Sequence, residues 1–181
     1  MRADDVADFS AFVSARSGAL FRTAVLLTGE REAAEDLVQS TLERCCRHWR
    51  TVSRADAPEA YARRILVNLV HDGGRRRRHR EVPLEPENGG RREGGGGADL
   101  PPDPYRQVVL RDALVQALRT LPAGMRTAVV LRYFDDLPDA EIAAALGISE
   151  SAVRSQVARG LAKLRAAVRD GAVRSPQGGD R

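Results

Sequence analysis

Residues 137–165 read LPDAEIAAALGISESAVRSQVARGLAKLR, and this stretch decides the fold predicted for the second half of the chain. Apolar residues recur at three- and four-residue steps on both sides of Gly147, which is typical of two amphipathic helices. Gly147 suits a tight turn, and Ser149 can cap the following helix through its hydroxyl. The stretch therefore predicts a helix-turn-helix. Its small core is predicted to contain Ile142, Ala143, Leu146, Ile148, Val153 and Val157.

The second of these helices is predicted to present a basic, polar face to solvent. Residues 148–169 carry five basic side chains and one acidic side chain, whereas residues 105–147 carry five of each. Arginine can bond guanine in two places or clamp a phosphate, and serine can bond either group. We therefore interpret the face as a surface for the major groove of DNA rather than an ordinary solvated face. The residues that would make these contacts are Ser151, Arg154, Ser155, Arg159 and Lys163.

A second basic helix is predicted in the first half of the chain, where residues 61–80 read YARRILVNLVHDGGRRRRHR. One face is apolar, and the opposite face carries polar and basic groups that can bond bases and phosphates. An arginine run or a lone asparagine is a weak signal by itself, because both are common on solvated helix faces. Gly73 and Gly74 are expected to interrupt this helix before Arg77–Arg80. The polar face carries Arg64, Asn68, His71 and Arg75.

Between these helices, residues 81–104 have the composition of a flexible linker. They contain five prolines, six glycines, six acidic residues and two basic residues, which cannot form a packed core. The predicted fold class is therefore all-α, with two small helical domains joined by a disordered linker. Residues 1–80 would form a domain of three helices, residues 105–170 a domain of four helices, and residues 171–181 a disordered tail. The helices are expected to begin near Val6, Arg31, Pro58, Pro104, Ala123, Asp139 and Glu150.

Catalytic and metal-binding sites are not predicted. Cys45 and Cys46 are adjacent and fit neither a zinc site nor a disulfide framework, so Cys45 is expected to be a small buried apolar residue and Cys46 to lie nearer the edge. His48, His71 and His79 form no spaced set with other ligands. We expect no cofactor, no small-molecule substrate and no enzymatic activity. The acidic N-terminus and the lack of a long apolar run favour a soluble, cytoplasmic chain without membrane insertion.

Three stretches of the chain resemble the extracytoplasmic-function (ECF) sigma factors, the small, sigma-E-like class of the sigma-seventy family. Residues 27–49, LTGEREAAEDLVQSTLERCCRHW, resemble the start of region 2. Residues 58–78, PEAYARRILVNLVHDGGRRRR, resemble the helix that reads the minus-ten element. Residues 118–165 resemble region 4 throughout. The resemblance covers residues 20–80 and 105–168, and it implies an alternative sigma factor that directs promoter-specific transcription initiation.

The resemblance also implies roles for individual residues. Asp36 and Gln39, with the neighbouring acids Glu35 and Glu43, would contact core RNA polymerase. Asn68 would read a base of the melted minus-ten strand, in a pocket that the loop 51–57 completes. The other minus-ten contacts would come from Arg64, His71, Arg75 and Arg76. The basic face of the helix-turn-helix would read the minus-thirty-five element of promoter DNA.

One other function fits the helix-turn-helix, namely that of a free-standing transcriptional regulator. Such a protein would bind duplex DNA tightly by itself, whereas a sigma factor should do so only with polymerase. Residues 1–80 show neither the strand and helix alternation of a receiver domain nor a ligand pocket, which favours the sigma factor. Members of the family often have an anti-sigma partner, although no residue of this sequence identifies one.

Overall fold

The computed structural model describes residues 3–80 and 104–169 of the 181-residue chain, with side chains for residues 4–72, 112–167 and 169. The predicted linker, apart from Pro104, and the predicted tail lie outside these residues, as do the side chains of Arg75 and Arg76. Within the described ranges the secondary structure is helical throughout, and the all-α prediction is confirmed. The helices are α1 (Ala3–Thr28), α2 (Arg31–Arg47), α3 (Trp49–Val52), α4 (Pro58–Arg80), α5 (Pro104–Arg119), α6 (Ala123–Tyr133), α7 (Asp139–Leu146) and α8 (Glu150–Arg169).

Helices α1 to α4 form the first helical unit. The chain turns between α1 and α2 at Gly29, whose positive φ of 79° favours glycine. The apolar faces of α1, α2 and α4 meet in a core that buries Ala24, Ala34 and Leu66 completely. The Trp49 ring closes the core, with the Phe9 and Phe12 ring centroids 5.1 and 5.2 Å away. Cys45 is fully buried in this core and Cys46 lies at its edge, as predicted.

Two features of the first unit differ from the sequence-based expectation. The unit has four helices rather than the predicted three, because α2 ends at Arg47 and the one-turn helix α3 follows it. The helix α4 continues through Gly73 and Gly74 to Arg80, so the expected interruption is wrong. Each glycine costs a helix only about 1 kcal/mol relative to alanine, and the arginines that follow the pair favour helix.

Helices α5 to α8 form the second helical unit, in which α7 and α8 are the predicted helix-turn-helix. Gly147 ends α7 in the left-handed conformation, with a φ of 66°. The Ser149 hydroxyl accepts a hydrogen bond from the Ala152 backbone N–H at 3.2 Å, which is the predicted cap of α8. Ile142, Ala143, Val153 and Val157 are buried, and Leu146 and Ile148 pack against them. The local sequence signals therefore predicted the motif and its core.

Gly160 sets the close approach of α8 to α6. A Cβ added at this position would lie 2.8 Å from Val129 Cγ2 and 3.5 Å from the Met125 carbonyl oxygen. Because Val129 is itself buried and stiff at χ1, it has little room to move. A glycine is therefore required here for packing, although the helix has no need of its conformational freedom.

The two units pack against each other, a contact that the sequence analysis did not predict. Leu118, Leu121 and Val129 of the second unit share one apolar cluster with the core of the first. In the opposite direction, Val67 of α4 is fully buried in the cluster of the helix-turn-helix. Helix α4 contacts α7, and α1 contacts α5 and α6. We call this packing the closed arrangement.

Candidate nucleic-acid interface

The helix α8 presents the predicted basic face to solvent. Its inner side rests on α6 and α7 through Val153, Val157 and Gly160, all of which are buried. Within the exposed face, the Arg159 Nε donates to the Ser155 carbonyl oxygen at 3.3 Å, and the Ser151 and Ser149 hydroxyl oxygens are 2.9 Å apart. The structure thus brings all five predicted minus-thirty-five residues to one exposed surface: Ser151, Arg154, Ser155, Arg159 and Lys163.

Asp139, which sequence reasoning missed, anchors one end of this surface. It is the first residue of α7, and its side chain is only 14% exposed. Its carboxylate accepts a hydrogen bond from Arg132 Nη1 of α6 and lies 3.6 Å from Arg154 Nη1 of α8. Arg154 also lies 3.5 Å from the Glu150 carboxylate, one turn before it. Arg154 is therefore held beside α7 by ion pairs in which its own side chain stays 59% exposed, so a phosphate can compete for it.

The predicted minus-ten residues follow one side of α4. Arg64 and Asn68 are exposed and His71 is half-buried, and the helical spacing places them on a common face. Arg75 and Arg76 lie further along the same helix, with side chains outside the described residues. The adjacent side of α4, which carries Arg63 and Val67, packs against the second unit.

A groove of about 290 Å³ lies between this part of α4 and the helix α7. Ala55 and Ala57, from the loop that the resemblance assigns to the base pocket, line it together with Arg64. The opposite wall is formed by Leu137, Glu141, Ala144 and Ala145 of the second unit. The predicted minus-ten pocket is thus faced by α7 in the closed arrangement.

The predicted polymerase-binding residues are all exposed on α2, but they line two different grooves. Glu35, Gln39 and Glu43 recur one turn apart beside an apolar groove of about 770 Å³ between α1 and α2. Gln39 Nε2 donates to Glu43 Oε1 at 3.0 Å, and Arg31 Nε donates to Glu35 Oε1 at 2.8 Å. Asp36 instead lines a groove that the second unit completes with Arg119 and Arg126. The four residues therefore do not form a single patch in this arrangement.

Asp135, whose side chain is 15% exposed at the contact between the units, was not singled out from the sequence. Thr23 Oγ1 of α1 donates to Asp135 Oδ1 at 2.7 Å, and Arg63 Nε of α4 lies 3.5 Å from Asp135 Oδ2. Burial raises the pKa of Asp135, although the Thr23 hydrogen bond and the charges of Arg63 and Arg22 oppose the rise. No local pattern marks such a residue, because its partners lie more than 70 positions away in the chain.

Two further polar contacts join the units near the end of α1. Arg126 Nη1 donates to the Leu27 carbonyl oxygen at 2.7 Å, and Arg119 Nη2 donates to Glu30 Oε1 at 3.1 Å. The last carbonyl groups of a helix lack partners within it, so Arg126 satisfies one of them. Burial, together with the nearby charge of Arg119, lowers the pKa of Arg126.

Among the described residues no cluster of His, Cys, Asp and Glu has the arrangement of a metal site. Burial, and to a smaller extent the neighbouring Cys46, raises the pKa of Cys45 to about 11, so its thiol is poorly reactive. None of the helices in the described ranges combines the length and apolarity that crossing a membrane requires.

Family models match most of the chain. The model of sigma-70 region 2 matches residues 12–80, which include α2 and α4. The model of sigma-70 region 4 matches residues 111–164, which include the helix-turn-helix. The two matched segments thus contain all three surfaces described above.

Proteins that are similar to this chain over most of its length carry sigma-factor names. The RNA polymerase sigma-E factor of Streptomyces coelicolor is 33% identical over 165 residues, a match that covers 89% of this chain and 86% of that protein. The ECF RNA polymerase sigma factor SigL of Mycobacterium tuberculosis strain H37Rv is 29% identical over 164 residues and covers 90% of each. Among solved structures, the sigma factor RpoE in complex with the anti-sigma factor NepR from Bartonella quintana has a TM-score of 0.70 at 24% identity. That match covers 90% of this chain and 97% of the other, and it shows a common fold. The matches to regions 2 and 4 and the relatedness to the sigma-E factors show that the chain belongs to the ECF sigma factors of the sigma-70 family.

Proposed function

We propose that this alternative sigma factor directs transcription initiation by dividing promoter recognition between its two helical units. The first unit binds core RNA polymerase through α2 and captures the melted minus-ten strand with α4. The second unit binds the minus-thirty-five duplex with α8. The observation that carries this proposal is the exposed basic face of α8, displayed by a helix-turn-helix with a fully packed inner side. The first unit and its likeness to sigma-70 region 2 favour a sigma factor over a free-standing regulator.

The proposed residue roles follow from exposure and charge. Ser151, Ser155 and Arg159 are exposed where a major groove could be read, and Lys163 follows one turn later for a phosphate. Arg64, Asn68 and His71 face the minus-ten strand, and the helical register extends this face to Arg75 and Arg76. Contacts to the polymerase would come from α2, with Glu35, Gln39 and Glu43 beside one groove and Asp36 beside the other.

We further propose that the chain acts by recruitment, without a reaction of its own, and in the cytoplasm, where RNA polymerase transcribes the genome. Each unit alone would bind its target weakly, and tethering raises the effective concentration of the second contact. One similar solved structure pairs a sigma factor with an anti-sigma factor. An anti-sigma protein is therefore a third partner to seek, beside polymerase and promoter DNA.

Binding of the purified chain to core RNA polymerase tests the proposed function. Co-elution and fluorescence anisotropy should show saturable binding that a primary sigma factor competes away. Asp36→Arg should abolish binding, because it reverses the charge of a proposed contact residue. Asp8→Arg makes the same charge change at an exposed position of α1 and should leave binding intact. Tight binding to duplex DNA without any binding to core polymerase would instead identify a free-standing regulator.

A further inference from the structure

The carboxylate of Asp139 joins three helices of the second unit. It belongs to α7, and its Oδ1 accepts a hydrogen bond from Arg132 Nη1 of α6. Its Oδ2 lies 3.6 Å from Arg154 Nη1 of α8. The two oxygens thus have separate partners on two helices, and only 14% of the Asp139 side chain is exposed. The carboxylate is therefore held in one orientation, unlike the partners of an ordinary surface ion pair.

The guanidinium of Arg154 uses a single nitrogen for its contacts with acidic groups. Nη1 lies 3.6 Å from Asp139 Oδ2 and 3.5 Å from Glu150 Oε2. Within the described part of the chain, no acceptor pairs with the Nε or Nη2 group of Arg154. These two groups form one edge of the planar guanidinium and can donate two parallel hydrogen bonds. Because the side chain is largely exposed, this edge is available to a ligand.

The position of Arg154 within α8 favours contact with the edges of bases. Arg154 is the fifth residue of the helix, and Ser151 and Ser155 lie beside it on the exposed face. In a helix-turn-helix bound to DNA, the N-terminal residues of the second helix contact base edges, whereas the first helix crosses the phosphate backbone. An arginine edge with two N–H groups matches the O6 and N7 acceptors of guanine.

The charges around Arg154 favour a base over a phosphate as its ligand. A phosphate on this guanidinium would meet the carboxylates of Asp139 and Glu150, and like charges so close together repel each other. A phosphate therefore has to displace them before it binds. The O6 and N7 atoms of guanine belong to an uncharged base, so the free edge can bind them while both carboxylates stay in place. An arginine whose Nη1 is already fixed also loses less side-chain freedom on binding.

We propose that Asp139 is a positioning residue for promoter recognition, which holds Arg154 so that its Nε and Nη2 groups read one guanine of the minus-thirty-five element. This inference rests on the proposed function, because it requires α8 to lie in the major groove of that element. Arg132 contributes by fixing the other oxygen of the Asp139 carboxylate. Glu150 contributes less, because its side chain is 53% exposed and solvent screens its pair with Arg154.

Binding of promoter fragments to the full chain with core RNA polymerase tests this assignment. The starting fragment is one selected with the unmodified protein, and each base pair of its minus-thirty-five element is replaced in turn by the other three. Fluorescence anisotropy gives the affinity of the holoenzyme for each fragment. We expect the unmodified chain to favour guanine by at least about fivefold at one or more positions. Arg154→Lys keeps the charge but lacks the two-pronged edge, so it should remove that preference at one of them.

Asp139→Asn should weaken the preference for guanine at the same position by at least about threefold, because an amide cannot hold the guanidinium by charge. The affinity for fragments without that guanine should stay equal or rise, since a negative charge near the DNA is removed. Damage to the fold would instead lower the affinity for every fragment. Asp136→Asn makes the same change at an exposed residue three positions earlier and should leave the preference intact. If Asp139→Asn fails to fold, Arg132→Gln, which frees the other oxygen of the carboxylate, should weaken the same preference.

A double variant distinguishes an action through Arg154 from an independent one. Asp139→Asn should change the base preference of Arg154→Lys no further, because Asp139 acts through the arginine. A further change in the double variant would overturn the positioning role, as would a preference in folded Asp139→Asn equal to that of the unmodified chain.

The remaining outcomes separate this inference from the proposed function. Arg154→Ala that lowers the affinity equally for all fragments, with the base preferences unchanged, would identify a phosphate contact and overturn the assignment to guanine. An unmodified holoenzyme that shows no base preference anywhere in the minus-thirty-five element would instead overturn the proposed function. Failure of the unmodified chain to bind core polymerase would overturn it as well.

Discussion

At the scale of single residues, Arg159 offers the clearest test of the minus-thirty-five surface. It is exposed at the middle of the α8 face, and its Nε donates to the Ser155 carbonyl oxygen at 3.3 Å. We expect Arg159→Ala to cost about 1–3 kcal/mol of promoter affinity, because a base or phosphate contact is lost. The measurement is anisotropy of the holoenzyme on a promoter fragment selected with the unmodified protein. Arg16→Ala, at an exposed position of α1 outside the proposed binding faces, is the control. Equal affinities for Arg159→Ala and the control would contradict the assignment of this face.

A second prediction at this scale is that the closed arrangement depends on pH through Asp135. Burial raises its pKa in the closed arrangement, against the opposing influence of Thr23, Arg63 and Arg22. A carboxyl group with a raised pKa binds its proton more readily in that state. The protonated Asp135 therefore favours the closed arrangement. This contribution is fully present below the ordinary pKa of 3.8, and it is lost as the pH rises through the raised pKa of the closed arrangement. The closed fraction should therefore increase when the pH falls from 7 into that window.

Asp135→Asn should remove this contribution, because an amide does not titrate there. The amide oxygen can still accept the Thr23 hydrogen bond, so the packing is preserved as far as possible. The measurement is the efficiency of energy transfer between dyes on cysteines introduced at the exposed residues Ser14 of α1 and Gln116 of α5, recorded against pH for both proteins. Asp136→Asn, at the adjacent exposed residue, controls for the change of charge, and asparagine tolerates the positive φ of 51° there. Parallel pH curves for the unmodified chain and Asp135→Asn would show that Asp135 does not titrate with closure.

At the scale of elements, local chemistry predicted the helices well. The start at Pro58, the stop at Gly147 and the cap at Ser149 are all found, because each acts within a few residues of itself. The helix α3 was missed, since four residues show no periodicity. The exposed face of α8 was also predictable, because the same 3.6-residue period that marks a buried stripe defines its opposite side. The role of Asp139 could not be predicted, because its partners come from two other helices.

The contact between α6 and α8 gives a stability prediction for the second unit. We expect Gly160→Val to destabilise the unit by about 1–3 kcal/mol through overpacking against Val129, even though valine favours helix more than glycine does. Thermal and denaturant unfolding would measure the loss. Ala162→Val introduces the same side chain at an exposed position of α8. It should lower the stability by only about 0.6 kcal/mol, because valine has a lower helix propensity than alanine. Equal stabilities of the two variants would mean that the helices are not closely packed at Gly160.

At the scale of the whole molecule, sequence reasoning predicted two helical units but not their contact. Val67 reads as one more apolar residue of α4, and nothing in the pattern distinguishes a position buried by its own unit from one buried by another. Arg119 and Arg126 likewise read as solvated residues of the second unit, although they bond Glu30 and Leu27 of the first. Contacts between distant segments depend on tertiary shape, which neither periodicity nor capping encodes.

The length of the segment that connects the two units decides whether both units can bind one promoter at the same time. Residues 81–104 can reach about 80 Å when fully extended, and removal of residues 89–97 shortens that reach to about 50 Å. The shortened chain should still close and bind core polymerase. It should lose at least about tenfold in affinity for a promoter with both elements at their natural spacing, since the second contact no longer benefits from tethering. Replacement of residues 89–97 by nine glycines and serines keeps the reach and should restore binding. Full promoter affinity in the shortened chain would mean that the units bind closer together on DNA than the two elements require.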